Sequence, residues 1–114
     1  MRYALLSLIL LAGVADAETF RCQEGAYWQS SGTVVVVATI NEDRITGTIK
    51  LAGATYQAKY HVQGFDRRWD FGLNAEYEYD LALVISPSGI ALYYDFSRAE
   101  LGETVQHSQT FVCT

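Results

Sequence analysis

Histidine, cysteine and charge are scarce in this sequence, and each shortage closes off a class of function. The 114 residues hold two histidines and two cysteines. His61 and His107 stand far apart, Cys22 and Cys113 further still, so no zinc-ligand spacing exists. The 8 basic residues are outnumbered by 13 acidic ones, and a net charge of −5 argues against general nucleic-acid binding. No G-x-S-x-G, P-loop or dinucleotide fingerprint occurs. Carboxylates are plentiful, yet no pattern places one in an apolar pocket where its pKa would rise. No residue is therefore assigned a catalytic role, and no cofactor is expected. Helical periodicity is missing as well: beyond residue 17 no stretch repeats apolar residues at i, i+3, i+4 and i+7.

What is present suits one small exported domain. Half the residues are apolar, too many for a disordered tail. Arg2 precedes an almost wholly apolar run from Ala4 to Val14, and Ala15-Asp16-Ala17 supplies small residues at −3 and −1. That is the pattern of a secretory signal peptide cleaved after Ala17. The run is roughly half the ~20 residues a membrane-spanning helix needs. Leu10-Leu11-Ala12-Gly13 resembles the start of a lipoprotein cleavage box, but Val14 stands where the lipidated cysteine belongs. The expected organisation is a signal peptide over 1–17 and a single domain over 18–114, periplasmic or extracellular, with no stable membrane anchor after cleavage. In an oxidising compartment Cys22 and Cys113 are expected to form a disulfide. Closing so long a loop stabilises a fold by about 4–5 kcal/mol in the chain-entropy account, and it makes the first and last strands neighbours.

Period-2 alternation recurs along the mature chain. Val34, Val36, Ala38 and Ile40 share one face of a strand, and Asn41-Glu42-Asp43-Arg44 is a polar turn. Ile45, Gly47, Ile49 and Leu51 follow, then Ala52-Gly53, then Tyr56, Ala58, Tyr60 and Val62. A four-residue loop at 41–44 would pair Ile40 with Ile45 and Ala38 with Gly47. A two-residue loop at 52–53 would pair Ile49 with Tyr56 and Gly47 with Ala58. Phe65, Trp69, Phe71 and Leu73 mark a shorter strand interrupted by Gly64 and Gly72. Tyr77, Tyr79, Leu81, Leu83 and Ile85 share a face, and Ser86-Pro87-Ser88-Gly89 reads as a type I turn. Ile90, Leu92, Tyr94 and Phe96 are expected to return on the matching face. With strands at Thr19–Gln23 and Gln109–Cys113, the fold class is all-β: a seven- or eight-stranded antiparallel meander barrel closed by the terminal disulfide, with a β-sandwich as the alternative.

Several groups are candidates for binding. Phe65-Asp66-Arg67-Arg68-Trp69-Asp70-Phe71 is the densest mixture of charge and aromatic rings, and Arg and Trp are the residues enriched at interaction hot spots. Arg68 would alternatively pair with Asp66 or Asp70. Ala38, Gly47 and Ala58 form an expected row of small side chains with Tyr56 and Tyr60 beside it, leaving room for a ligand or for Trp28 or Trp69. Tyr27 and Trp28 lie in a segment of recognition-loop composition, and 97–108 is long for a hairpin connection. Glu76, Glu78 and Asp80 share a polar face, with Asp95 expected opposite Asp80. Calcium is a weak candidate there, against a solvated outer face.

The Thr-Phe-Arg-Cys start, the Phe-Val-Cys end and the Ser-x-Ser-Gly turn at 86–89 resemble small periplasmic lysozyme-inhibitor barrels. The resemblance covers the two ends and one turn, and implies a barrel. The aromatic after the turn is displaced and the downstream tryptophan segment of that family is absent, so no inhibitory residue carries over. The residues themselves lead to the expectation of a non-catalytic binding protein of unknown ligand, with an inhibitor or accessory subunit as the alternative. A ligand binder would have an internal cavity lined by Tyr56, Tyr60 and Trp69. An inhibitor or accessory subunit, docking on an envelope or secreted protein, would have a filled barrel and exposed loops.

Overall fold

Strands form wherever apolar and polar residues alternate. The structure, a computed structural model, describes residues 17–26, 29–74, 76, 78–97 and 107–114. Within them run β1 (Glu18–Ala26), β2 (Gln29–Ile40), β3 (Thr46–Leu51), β4 (Ala54–Gln63), β5 (Asp66–Leu73), β6 (Tyr79–Ile85), β7 (Ile90–Asp95) and β8 (His107–Cys113). Each pairs antiparallel with the next, and β8 pairs with β1, so the meander closes into an eight-stranded barrel. The closing seam is short, matching Cys22 with Cys113, Gln23 with Val112 and Glu24 with Phe111. The Cys22–Cys113 disulfide bridges two directly opposed residues 91 positions apart.

The interior is packed with apolar side chains. Trp69, Phe71, Phe111, Ile40, Ile49, Leu83 and Ile85 are all completely or almost completely buried. Burying one such side chain contributes about 1.5–3 kcal/mol. Lys50, Gln57, Lys59 and His61 point outward into solvent. Along β3 and β4 the outer wall is therefore polar.

Three hairpins test the expected registers. The β3–β4 register is the expected one, with Ile49 opposite Tyr56 and Gly47 opposite Ala58. Its turn has positive φ at both Ala52 (53°) and Gly53 (81°), the type I′ geometry that matches strand twist. The β2–β3 register is displaced by two: Ile40 opposes Gly47 and Ala38 opposes Ile49. The cause is Asp43, whose Oδ1 accepts from the backbone N–H of Ile45 and of Thr46, both at 3.0 Å. This cap holds 42–45 as the loop and makes Asn41–Thr46 the first pair, with Asn41 N–H donating to Thr46 C=O at 2.9 Å. A shift of two keeps the faces but moves Ile45 out of the core, leaving it 65% exposed.

The β6–β7 hairpin corrects a whole strand. Ile85 opposes Ala91, Leu83 opposes Tyr93 and Leu81 opposes Asp95. Gly89 takes φ 92°, Gly89 N–H donates to Ser86 C=O and Ser86 N–H donates to Ile90 C=O, both at 2.9 Å. The loop is therefore three residues, a type I turn ending in a left-handed glycine, instead of four. One residue of slip turns every side chain over. Ala91 and Tyr93 face the core, and Ile90, Leu92 and Tyr94 lie on the outer wall. Phe65 is also no core residue: it sits in the β4–β5 turn at 89% exposure. Val62, Leu73 and Tyr79 keep their inward side but stand beyond the packed part of the barrel, and are exposed.

Candidate functional site

Trp69 decides what the barrel interior can do. Its ring lies against Gly47, where an added Cβ would stand 2.8 Å from Nε1 and 3.1 Å from Cδ1. The indole N–H donates to Thr39 C=O at 2.8 Å, satisfying the donor that burial would otherwise orphan. Gly47 is paired with Ala58, and Trp69 fills the space beside Gly47. Tyr60 packs on it at 5.1 Å between ring centroids, and Tyr56 packs on Phe71 at 5.2 Å. Tyr60 and Trp69 are buried, so the positions expected to line a ligand cavity are the core itself.

Strand direction then defines two barrel ends. At one end lie the start of β1, the 42–45 loop, the Gly64–Phe65 turn and the Pro87–Gly89 turn. There Phe20 meets Trp69 edge-to-face at 5.9 Å, and the Arg67 guanidinium lies 5.1 Å from the Phe20 ring centroid. Burial raises the Tyr60 phenol above its ordinary pKa, an effect opposed by the charges of Arg67 and Arg44. Val62 stands directly across from Arg67, and Ile45 C=O accepts from Tyr60 N–H at 3.0 Å. Arg44 is paired with Glu18 at 2.7 Å.

At the other end β1 and β7 run out towards 27–28 and 98–106. An open cleft of about 440 Å³ lies there, lined by Glu24, Val34, Leu51, Gln109 and Phe111 among others. Val34 is exposed at its edge and Phe111 forms its buried floor. Tyr93, inside the barrel on β7, has its pKa raised by burial and secondarily by Asp95.

The pleat divides the basic-aromatic segment. Arg67 and Trp69 point inward, whereas Arg68 lies on the outer wall. Arg68 Nε donates to Asp70 Oδ1 at 3.0 Å, Arg68 Nη1 donates to Gln63 Oε1 at 3.0 Å, and the guanidinium lies 5.9 Å from the Phe96 centroid. Arg67, Tyr60 and Trp69 are thus brought together, Tyr56 sits deeper against Phe71, and Arg68 stands apart. Tyr27, Trp28 and 98–106 lie outside the described residues, as does Tyr77. Phe20, Ile45 and Val62 were not singled out as site residues; the alternation Val62–Tyr60 across a two-residue Gly64–Phe65 turn is the signal that pairs Val62 with Arg67.

The carboxylate group does not assemble. Asp95 opposes Leu81, not Asp80, because of the β7 slip. Asp80 accepts from Asn74 Nδ2 at 3.1 Å, while Asn74 Oδ1 accepts from the Glu76 and Glu78 N–H groups. Asp95 accepts from Ser97. Among the described residues no three His, Cys, Asp or Glu side chains converge as a metal site. The chain matches no family model, no curated protein and no solved structure.

Proposed function

We propose that this is a small exported, non-catalytic binding protein that docks on another envelope or secreted protein through an end of its barrel. The observation that carries the reading is the Trp69 plug: the indole fills the space against Gly47, where a Cβ would not fit, which favours recognition at the surface over an internal ligand site. The exposed apolar side chains Ile45, Val62 and Phe65 cluster at one end, the arrangement expected of a protein-facing surface. The disulfide is consistent with export to an oxidising compartment. A second reading has one observation in its favour. The cleft over Phe111, of about 440 Å³, is of the size that takes a small amphipathic molecule.

Native mass spectrometry of the disulfide-intact protein, purified gently from its source envelope, separates the two. A stoichiometric protein partner is the expected result. A co-purifying small-molecule mass lost on Leu51→Asp would replace the docking reading with the cleft reading.

A further inference from the structure

Arg67 differs from the other arginines around its end of the barrel. Arg44 is 2.7 Å from Glu18, and Arg68 is 3.0 Å from Asp70. Among the described residues Arg67 makes no ion pair: its guanidinium rests on the Phe20 ring and meets the Tyr60 hydroxyl. A π face and a neutral phenol orient the charge without cancelling it, and the side chain is half-buried. An exposed lysine without a partner is solvated and unremarked, but this guanidinium stands in an apolar frame. Val62 faces it across β4–β5 and Ile85 across β5–β6. Ile45 and Phe65, both largely exposed, lie in loops at the same end of the barrel.

We propose that this end of the barrel docks a segment of a partner protein carrying one carboxylate side chain between apolar residues, with Arg67 receiving the carboxylate. The inference rests on the docking reading above and names its face and its partner's chemistry. The fork of Arg67 is already held over Phe20, so little side-chain freedom is lost when a planar carboxylate arrives. Ile45, Val62 and Phe65 shed water onto the partner's flanking side chains, the arrangement in which a charge pair contributes most. Glu42, Asp43 and Asp66 lie at the same end. They repel an acidic run, which restricts the partner to a single carboxylate in apolar company.

The test is an NMR titration of the mature, oxidised protein with Ac-Leu-Asp-Leu-NH2 and with its Asn counterpart, following Arg67 Nε–H and the Ile45 and Val62 methyl groups. The Asp peptide is expected to shift all three saturably and to bind roughly tenfold tighter than the Asn peptide. Arg67→Met, which keeps the stem over Phe20, is expected to erase that preference while leaving spectral dispersion intact; Arg67→Lys should restore part of it. Equal binding of the two peptides overturns the proposal. So do shifts confined to Glu24 and Val34, or equal shifts from acetate or phosphate alone. Self-association that Arg67→Met abolishes would give this face to a second copy and overturn the partner named. In the native-mass experiment, a partner retained by Arg67→Met overturns this face but leaves docking standing. Recovery of a small molecule in place of a protein overturns docking itself.

Discussion

Gly47→Ala is the sharpest test of how the barrel is plugged. A Cβ at Gly47 would collide with the Thr39 carbonyl oxygen and sit 2.8 Å from Trp69 Nε1. The first neighbour is backbone of the adjacent strand, so it cannot swing away as the tip of a flexible side chain would. The carbonyl and the indole must both withdraw, which breaks the 2.8 Å hydrogen bond between them. Forcing a methyl group into a packed core costs about 1–3 kcal/mol. An indole N–H left buried without an acceptor costs about 1–3 kcal/mol more. The gain from replacing glycine in a strand is only about 0.5–1 kcal/mol. The net expectation is a loss of about 1–5 kcal/mol, a large share of the stability of a domain this size. Urea unfolding followed by near-ultraviolet circular dichroism reads it directly. Gly64→Ala is the control: φ is 67° there but nothing lies within 4 Å, so only the backbone term of about 1–2 kcal/mol applies. Trp69→Phe placed on Gly47→Ala should recover part of the loss and not all, since the Thr39 clash persists. If Gly47→Ala costs no more than Gly64→Ala, the account of the plug is wrong.

Other perturbations have equally definite outcomes. Reducing the Cys22–Cys113 bridge, or replacing both cysteines by alanine, should cost about 4–5 kcal/mol at most, read as a lower urea midpoint and thermal midpoint. Ala52→Asn should raise stability by about 0.5–1 kcal/mol, because asparagine tolerates the positive φ that alanine holds under strain in the type I′ turn. Asp43 has its pKa lowered by hydrogen bonds from Ile45 N–H first, then from the Thr46 side chain and N–H. A depressed carboxylate stabilises the fold above its unfolded pKa, near 3.8, and that contribution vanishes as pH falls through the lower folded value. Asp43→Asn should therefore be less stable than the parent at pH 7, with the gap closing in that acidic window on a pH series of melts.

How much of this was legible beforehand follows from where each fact is encoded. The β3–β4 pairing could be read because strand alternation and a two-residue turn leave one register that keeps Ile49, Gly47 and Ala58 together. The disulfide could be read because two cysteines near the ends have only one partner each. The facing of β7 could not, because it depends on one dihedral: Gly89 in the left-handed region shortens the loop by a residue and inverts Ile90 through Tyr94. Ile45 was misplaced for a similar reason, since nothing in alternation announces that Asp43 will cap the turn. For the site, composition pointed to Arg67, Arg68 and Trp69 as a block. Pleating sends Arg68 to Asp70 on the outer wall and Arg67 to Phe20 at the barrel end. Phe20 comes from the far side of the closed sheet, and no local pattern connects it to β5.

The antiparallel hydrogen bonds between Arg21 and Thr114, at 3.0 and 2.9 Å, lie beside the disulfide seam and place the start of β1 next to the end of β8. Every other strand pairing in the meander joins sequence neighbours, so the seam is simply the eighth hairpin with its connection missing. A peptide linker from Thr114 to Glu18 would supply it. The chain can then be cut at the exposed Gly64–Phe65 turn, giving a permuted protein with the same ring of strands and the same Trp69 plug. Its new ends would emerge beside Arg67 and Val62, the end of the barrel where a partner segment could be fused and held.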